Sequence, residues 1–235
     1  MYIWVFHATD KKQYYIRLKS YVIVTSMVAA LGSMFFGFET AVISGTINFI
    51  QPYLGLSEAG LGWTVSSQLC GCIAGVFMVG KAGDQYGRKK VLMLAAFLFF
   101  LSAIGSASAH SLYFFLVALI LGGVAVGIAS ILSPMYIAEL APAKYRGTMV
   151  SLNQLAIVVG ILVAFFSNYL LVGTGENNWQ WILLAMAAPA FLLFFSLFFV
   201  PESPRWLVAR NRNSEALTVL MKTSGKDFAR VEICS

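Results

Sequence analysis

Glu39 stands in FFGFETAVISG, inside an apolar run long enough to cross a bilayer. A carboxylate at that depth costs on the order of 3 kcal/mol by insertion scales, so it needs a cavity or a partner helix. It lies 18 residues beyond Tyr21, roughly 27 Å along a helix, which is past the midplane and toward the outer half. Two roles fit. It is a proton site or cavity acceptor, or it is a structural carboxylate tied to a neighbouring helix or snorkelling outward. Gln154, with Asn153, enters a later apolar run by roughly 10 Å. An amide donates and accepts, as a sugar hydroxyl does, yet it serves equally well as glue between helices. Phe36 beside Glu39 could stack on the apolar face of a sugar. In a chain with 19 Phe, packing accounts for any single one as well.

Three charged stretches repeat one pattern. SPMYIAELAPAKYRGTMVSLNQ, Ser133–Gln154, sets Glu139, Pro142, Lys144, Arg146 and Gly147 between two membrane-length segments. GKAGDQYGRKK, Gly80–Lys90, has Asp84 and Arg88 four apart, with Gly83 and Gly87 permitting a tight turn between helices. PESPRWL, Pro201–Leu207, carries Glu202 and Arg205. Each stretch offers one acid and at least one arginine. Arginine–carboxylate pairs are directional and break cleanly when helices tilt. Ordinary surface pairing would be worth little. Repetition at three loop mouths favours a gate that latches and releases.

Six elements must position these groups. Membrane-crossing helices, each needing about 20 apolar residues, are expected near 21–46, 60–80, 90–109, 112–136, 148–171 and 180–200. An arm, 1–20, precedes them, and a linker, 201–235, follows. All 16 Lys and Arg fall in the arm, the two charged loops and the linker. The intervening stretches 47–58, 109–111 and 172–178 have none. The positive-inside rule then puts both termini in the cytoplasm, with the multi-pass chain in the cell membrane, the inner one in a bacterium. Glycines at 32 and 37, 71 and 75, and 122, 123 and 127 suit close helix packing.

Composition excludes other classes. Of the 235 residues 59% are hydrophobic and 11% charged, where a soluble domain carries about a quarter charged. Mean hydropathy is +0.79. The net charge of +6 is spread over the ends of apolar runs, a topology signal and not a nucleic-acid patch. Cys70 and Cys72 point to different sides of a helix and read as small buried hydrophobes, and Cys234 lies in the tail. His7 and His110 stand alone. No metal, cofactor or catalytic group is indicated. No Ser/His pair or metal cluster lies within the spans, so a membrane enzyme is a poor fit.

Together, FGFETAVISGT, G-x-x-x-D-x-x-G-R-K at Gly80–Lys89, SPMYIAELAPAKYRG with VSLNQLAIVVG, and PESPRWL resemble the sugar porter branch of the major facilitator superfamily, and within it the bacterial xylose–proton symporters. The matches run in family order over about 21–210. The resemblance implies an all-α membrane protein whose six helices form one half of a twelve-helix transporter. That transporter alternates between outward- and inward-open states around a midplane sugar. It implies Phe36 and Gln154 at the sugar, Glu39 at the proton-coupling carboxylate, and Asp84, Arg88, Glu139, Arg146, Glu202 and Arg205 in a cytoplasmic charge network. The implied partners are a pentose or hexose, protons, the bilayer and a C-terminal six-helix half. This sequence departs from the pattern at Glu39, an Asp in the family. Leu119 replaces the arginine that pairs with it, and Ile161 replaces a site glutamine. The chain reaches only the linker after six spans, so a half-transporter that does not transport alone, or a six-span sensor or scaffold, is the alternative.

Overall fold

The computed structural model describes residues 2–141, 145–173, 175 and 178–223, with side chains described from Tyr21 onward. Pro142, Lys144 and Cys234, named above, lie outside the described residues. The described residues form nine helices: α1 Tyr2–Tyr53, α2 Glu58–Tyr86, α3 Arg88–Ala107, α4 Leu112–Leu140, α5 Arg146–Leu171, α6 Asn178–Leu184, α7 Ala187–Phe198, α8 Pro204–Ala209 and α9 Asn213–Thr223. Six segments have the length and apolarity to cross a membrane, the sixth being α6 and α7 together. The crossings fall where the apolar runs predict them. Several are longer, because helical backbone continues past the last apolar residue into charged sequence.

The helix ends follow local chemistry. The Ser57 hydroxyl caps α2 by accepting from Gly60 N at 3.1 Å, and the Ser111 hydroxyl caps α4 by accepting from Phe114 N at 3.4 Å, as serine does at N-caps. The expected loop between the second and third crossings shrinks to Gly87, at φ 96° and ψ 154°. Only glycine enters that region readily. The sixth crossing is broken at Ala185–Met186. Pro189 has no N–H to bond the Ala185 carbonyl, so that carbonyl takes Ala188 N instead, at 3.1 Å. The break beside Pro189 is the main departure from the uniform sixth crossing expected over 180–200.

Packing follows a swapped scheme. α2 lies along α4 and α1 along α5, while α3 and α7 pack on each other and on α4 and α1 respectively. Exchanging the first three crossings with the last three maps these contacts onto one another, the internal repeat expected of one transporter half. Glycines set the spacing. A Cβ on Gly71 or Gly75 of α2 would run into the Ile120 or Val124 carbonyl of α4, and one on Gly123 or Gly127 into the Gln68 or Cys72 carbonyl of α2. Gly37 and Gly160 do the same between α1 and α5. Lipid tails are as apolar as leucine, so close backbone approach of this kind holds membrane helices together. α1 and α4 end up central and α2 and α5 largely uncovered. Phe35 and Phe99 stack at 4.5 Å between α1 and α3.

Gly123→Leu drives a side chain into the Gln68 carbonyl and is expected to cost about 2–3 kcal/mol by overpacking. Gly80→Ala meets nothing within 4 Å and is expected to leave stability unchanged or slightly raised. Thermal unfolding in detergent compares the two.

Candidate functional site

The charged stretches meet at one end of the bundle, with Arg88 at the centre. Its Nη1 lies 2.9 Å from Asp84 Oδ1 and donates to the Gly83 carbonyl at 2.8 Å. Its Nε donates to Glu139 Oε1 at 3.3 Å. The other Glu139 oxygen accepts from the Ser203 hydroxyl. One guanidinium thus joins α2, α3 and α4, and the carboxylate beyond it takes hold of the linker.

Glu202 works differently. The N-cap of α3 is Gly87, which has no side chain to offer. Glu202 Oε1 fills that role from a distance by accepting from Lys89 N at 3.0 Å, and it also accepts from Ser203 N at 2.9 Å. A carboxylate suits the positive end of a helix. A Cβ on Gly87 would collide with this carboxylate, so the glycine serves both the turn and the seat.

The first turns of the linker clasp the same junction. Trp206 Nε1 donates to the Asp84 carbonyl at 2.9 Å. Arg210 Nη2 donates to the Asp84 and Gln85 carbonyls at 3.1 and 2.8 Å, and Arg210 Cζ lies 5.8 Å from the Trp206 ring centroid. The Tyr136 hydroxyl donates to the Pro201 carbonyl. Of the six residues expected in the network, Asp84, Arg88, Glu139 and Glu202 come together. Arg146 and Arg205 make no ion pair among the described residues; Arg205 is exposed and Arg146 Nε is buried without a hydrogen bond. Sequence reasoning missed Ser203, Trp206, Arg210 and Tyr136. Ser203 had a signal, since a serine before proline is a helix N-cap pattern. The side-chain-to-carbonyl bonds of the other three leave no spacing signature.

The residues expected at the sugar lie on an uncovered face of the bundle. Phe36 is 43% exposed on α1, and Gln154 is exposed on α5. They stand at nearly one level, because Ser33 of α1 bonds Asn153 of α5 and Gly37 abuts Ile157. Asn153 therefore acts as glue, while Gln154 next to it makes no side-chain hydrogen bond among the described residues. Glu39, three residues beyond Phe36 and so next to it round α1, is wholly buried. Its Oε1 lies over Gly122 of α4, where an added Cβ would come within 2.8 Å. Gln68 of α2 faces the carboxylate, yet neither oxygen makes a hydrogen bond of ordinary geometry. Leu119, one turn before Gly122, is buried. Ile161 packs on Gly37, where an added Cβ would lie 3.2 Å from Ile161 Cγ1.

The profile of the family described as "Sugar (and other) transporter" matches residues 25–234. The chain belongs to this sugar transporter family. It is 46% identical over 191 residues to a D-xylose transporter of Levilactobacillus brevis, covering 81% of this chain and 42% of that one. It is 39% identical over 243 residues to the D-xylose-proton symporter of Escherichia coli K12, covering 89% and 49%. Among solved structures, the major facilitator proton:xylose symporter XylE bound to 6-bromo-6-deoxy-D-glucose superposes with a TM-score of 0.88 at 38% identity, over 92% of this chain and 52% of that one. The chain spans about half the length of the curated relatives it matches, and its six helices correspond to the N-terminal half of that fold.

The Arg88–Glu139 pair is mostly buried, with side chains 13% and 9% exposed, whereas Asp84 is 76% exposed. Arg88→Ala strands a buried carboxylate and is expected to cost about 3 kcal/mol. Asp84→Asn removes a solvent-screened partner and is expected to cost less than about 1 kcal/mol. Thermal unfolding of the two variants in one detergent gives the comparison.

Proposed function

We propose that the chain supplies the N-terminal half of a sugar carrier that works by alternating access. The observation carrying this reading is the pairing of Phe36 and Gln154. An aromatic ring and a free amide stand exposed at one level, on neighbouring helices otherwise built for lipid. Lipid would leave the amide unsatisfied, whereas a sugar offers hydroxyls to the amide and C–H groups to the ring. The xylose and arabinose carriers among its relatives support a pentose or hexose as substrate. The Arg88 cluster is then the gate at the cytoplasmic end. Both termini lie on that side, and all Lys and Arg gather there. Glu39 is the proton-binding carboxylate, buried against Gly122 of α4 beside the face that Phe36 presents.

A second six-helix body completes the cleft. α2 presents Leu69, Ile73 and Phe77, and α5 presents Leu155, Leu162 and Phe166, all exposed. Two apolar faces flanking a polar one suit a partner that seals both sides of a water-filled cleft. The alternative reading is that the chain alone binds sugar weakly and transports nothing.

Uptake of labelled xylose, arabinose or glucose into vesicles tests the proposal. The expected result is no uptake by the chain alone and uptake once a C-terminal six-helix half is co-expressed. Persistent failure with the second half present would favour the sensor or scaffold. In the reconstituted carrier, Glu39→Gln is expected to abolish accumulation against a gradient while sparing sugar exchange. Unchanged accumulation would remove Glu39 from the proton-binding role.

A further inference from the structure

The exposed face of α1 does not stop at Phe36. Thr40, Ser44 and Asn48 follow it at intervals of four residues, and all are exposed. Residues at that spacing share a helix face. The face is bounded on one side by the contact with α5, through Gly37 and Gly45, and on the other by the contact with α4, through Gly32 and Glu39. The remaining girth of α1 at this height is buried, with Phe35, Phe38, Val42 and Thr46 at 2% exposure or less. Between Phe36 and Gln51 the polar stripe is therefore the face of α1 that holds its exposed residues.

Its chemistry is wrong for lipid. Thr40 is satisfied within the helix, its hydroxyl donating to the Phe36 carbonyl at 2.7 Å. Ser44 and Asn48 make no side-chain hydrogen bond among the described residues. Other hydroxyls of this helix, at Thr25 and Thr46, are buried and bond back to their own turn. An unbonded amide and hydroxyl left facing hydrocarbon, or facing an apolar partner, would each cost free energy that water or a polar ligand removes. Asn48 lies 12 residues beyond Phe36, roughly 18 Å along the helix and toward the end away from the Arg88 cluster.

We propose that Ser44 and Asn48 form a second hydroxyl-binding station on the wall of the outer vestibule, where a sugar docks before it descends to Phe36 and Gln154. The assignment rests on the sugar-carrier reading above. The station has an amide that both donates and accepts, a hydroxyl one turn below it, and the Thr40 lone pairs one turn lower still. It has no aromatic platform, so it holds hydroxyl edges only. Binding there is weaker and less selective than at the Phe36 level.

The test is cysteine accessibility in membranes holding the full chain with its C-terminal half, on a background with Cys70, Cys72 and Cys234 changed to Ala. Ser44→Cys and Asn48→Cys are treated with a membrane-impermeant thiol reagent. Val158→Cys, 45% exposed one turn from Gln154, reports the main site, and Ile50→Cys, buried on α1, is the control. The expected result is rapid labelling at 44 and 48 from the outer side, slowed at least threefold by xylose, with none at 50. Reaction at 44 and 48 with a permeant, lipid-soluble reagent only would overturn the station. So would labelling that sugar leaves unchanged while Val158→Cys is protected. If sugar protects neither 158 nor the stripe, the sugar-carrier reading itself fails. As a second measurement, Asn48→Ala is expected to raise the apparent KM for external sugar several-fold with kcat unchanged. An unchanged KM counts against the station.

Discussion

The guanidinium of Arg88 is the point through which the charged end of the bundle is connected. It sits at the start of α3, reaches back to Asp84 and Gly83 on α2, and crosses to Glu139 on α4. Glu139 passes the connection to Ser203 and so to the linker. The links to Asp84 and Gly83 are short, at 2.9 and 2.8 Å, the one to Glu139 is longer at 3.3 Å, and a guanidinium directs all three in a way an ammonium does not. Because most of the pair is buried, it is worth more than a surface ion pair, and losing one member strands the other. Such a cluster holds one arrangement firmly and gives way at once when a helix tilts. A gate needs both properties.

In the proposed carrier, the cluster and the Phe36 face are coupled only if the helices move as rods. The glycine contacts supply that stiffness. α2 and α4 are pressed backbone to backbone at four glycines, and α1 meets α5 in the same way. A pair in that kind of contact has little freedom to slide side chain by side chain, because the interior is already close-packed. Gly122, where Glu39 rests, lies on the same helix as Glu139, and Phe36 lies on α1, which is held against α5. The buried carboxylate and the exposed ring are three residues apart and so neighbours round one helix, the first turned under α4 and the second left uncovered. A change at either is felt at the other as a rotation or shift of α1.

Much of this was legible in the chain. The six crossings, the turn at Gly87 and the convergence of Asp84, Arg88, Glu139 and Glu202 follow from apolar run lengths, glycine chemistry and repeated acid–arginine loops. The helix ends were harder. Apolar periodicity stops near Gly80, while the backbone of α2 runs on to Tyr86 until Gly87 turns it. Arg146 and Arg205 match the charge pattern yet make no ion pair among the described residues, because loop composition does not say which way a side chain reaches. Glu202 as the cap of α3 was out of reach of sequence pattern. It links residues over a hundred positions apart through a backbone N–H, and no side-chain spacing encodes that. Asn153 and Gln154 look alike as a sequence pair. Only the register of α5 against α1 shows that Asn153 faces Ser33 and Gln154 faces open space.

A double-mutant cycle on Arg88→Ala and Glu139→Ala, read by thermal unfolding in detergent, tests most directly whether one shared interaction ties the charged end together. If Arg88 and Glu139 act as a unit, the double variant loses little more stability than either single variant, and the coupling free energy is about 2 kcal/mol. Losses that simply add, with coupling indistinguishable from zero, would contradict a gate built on this pair.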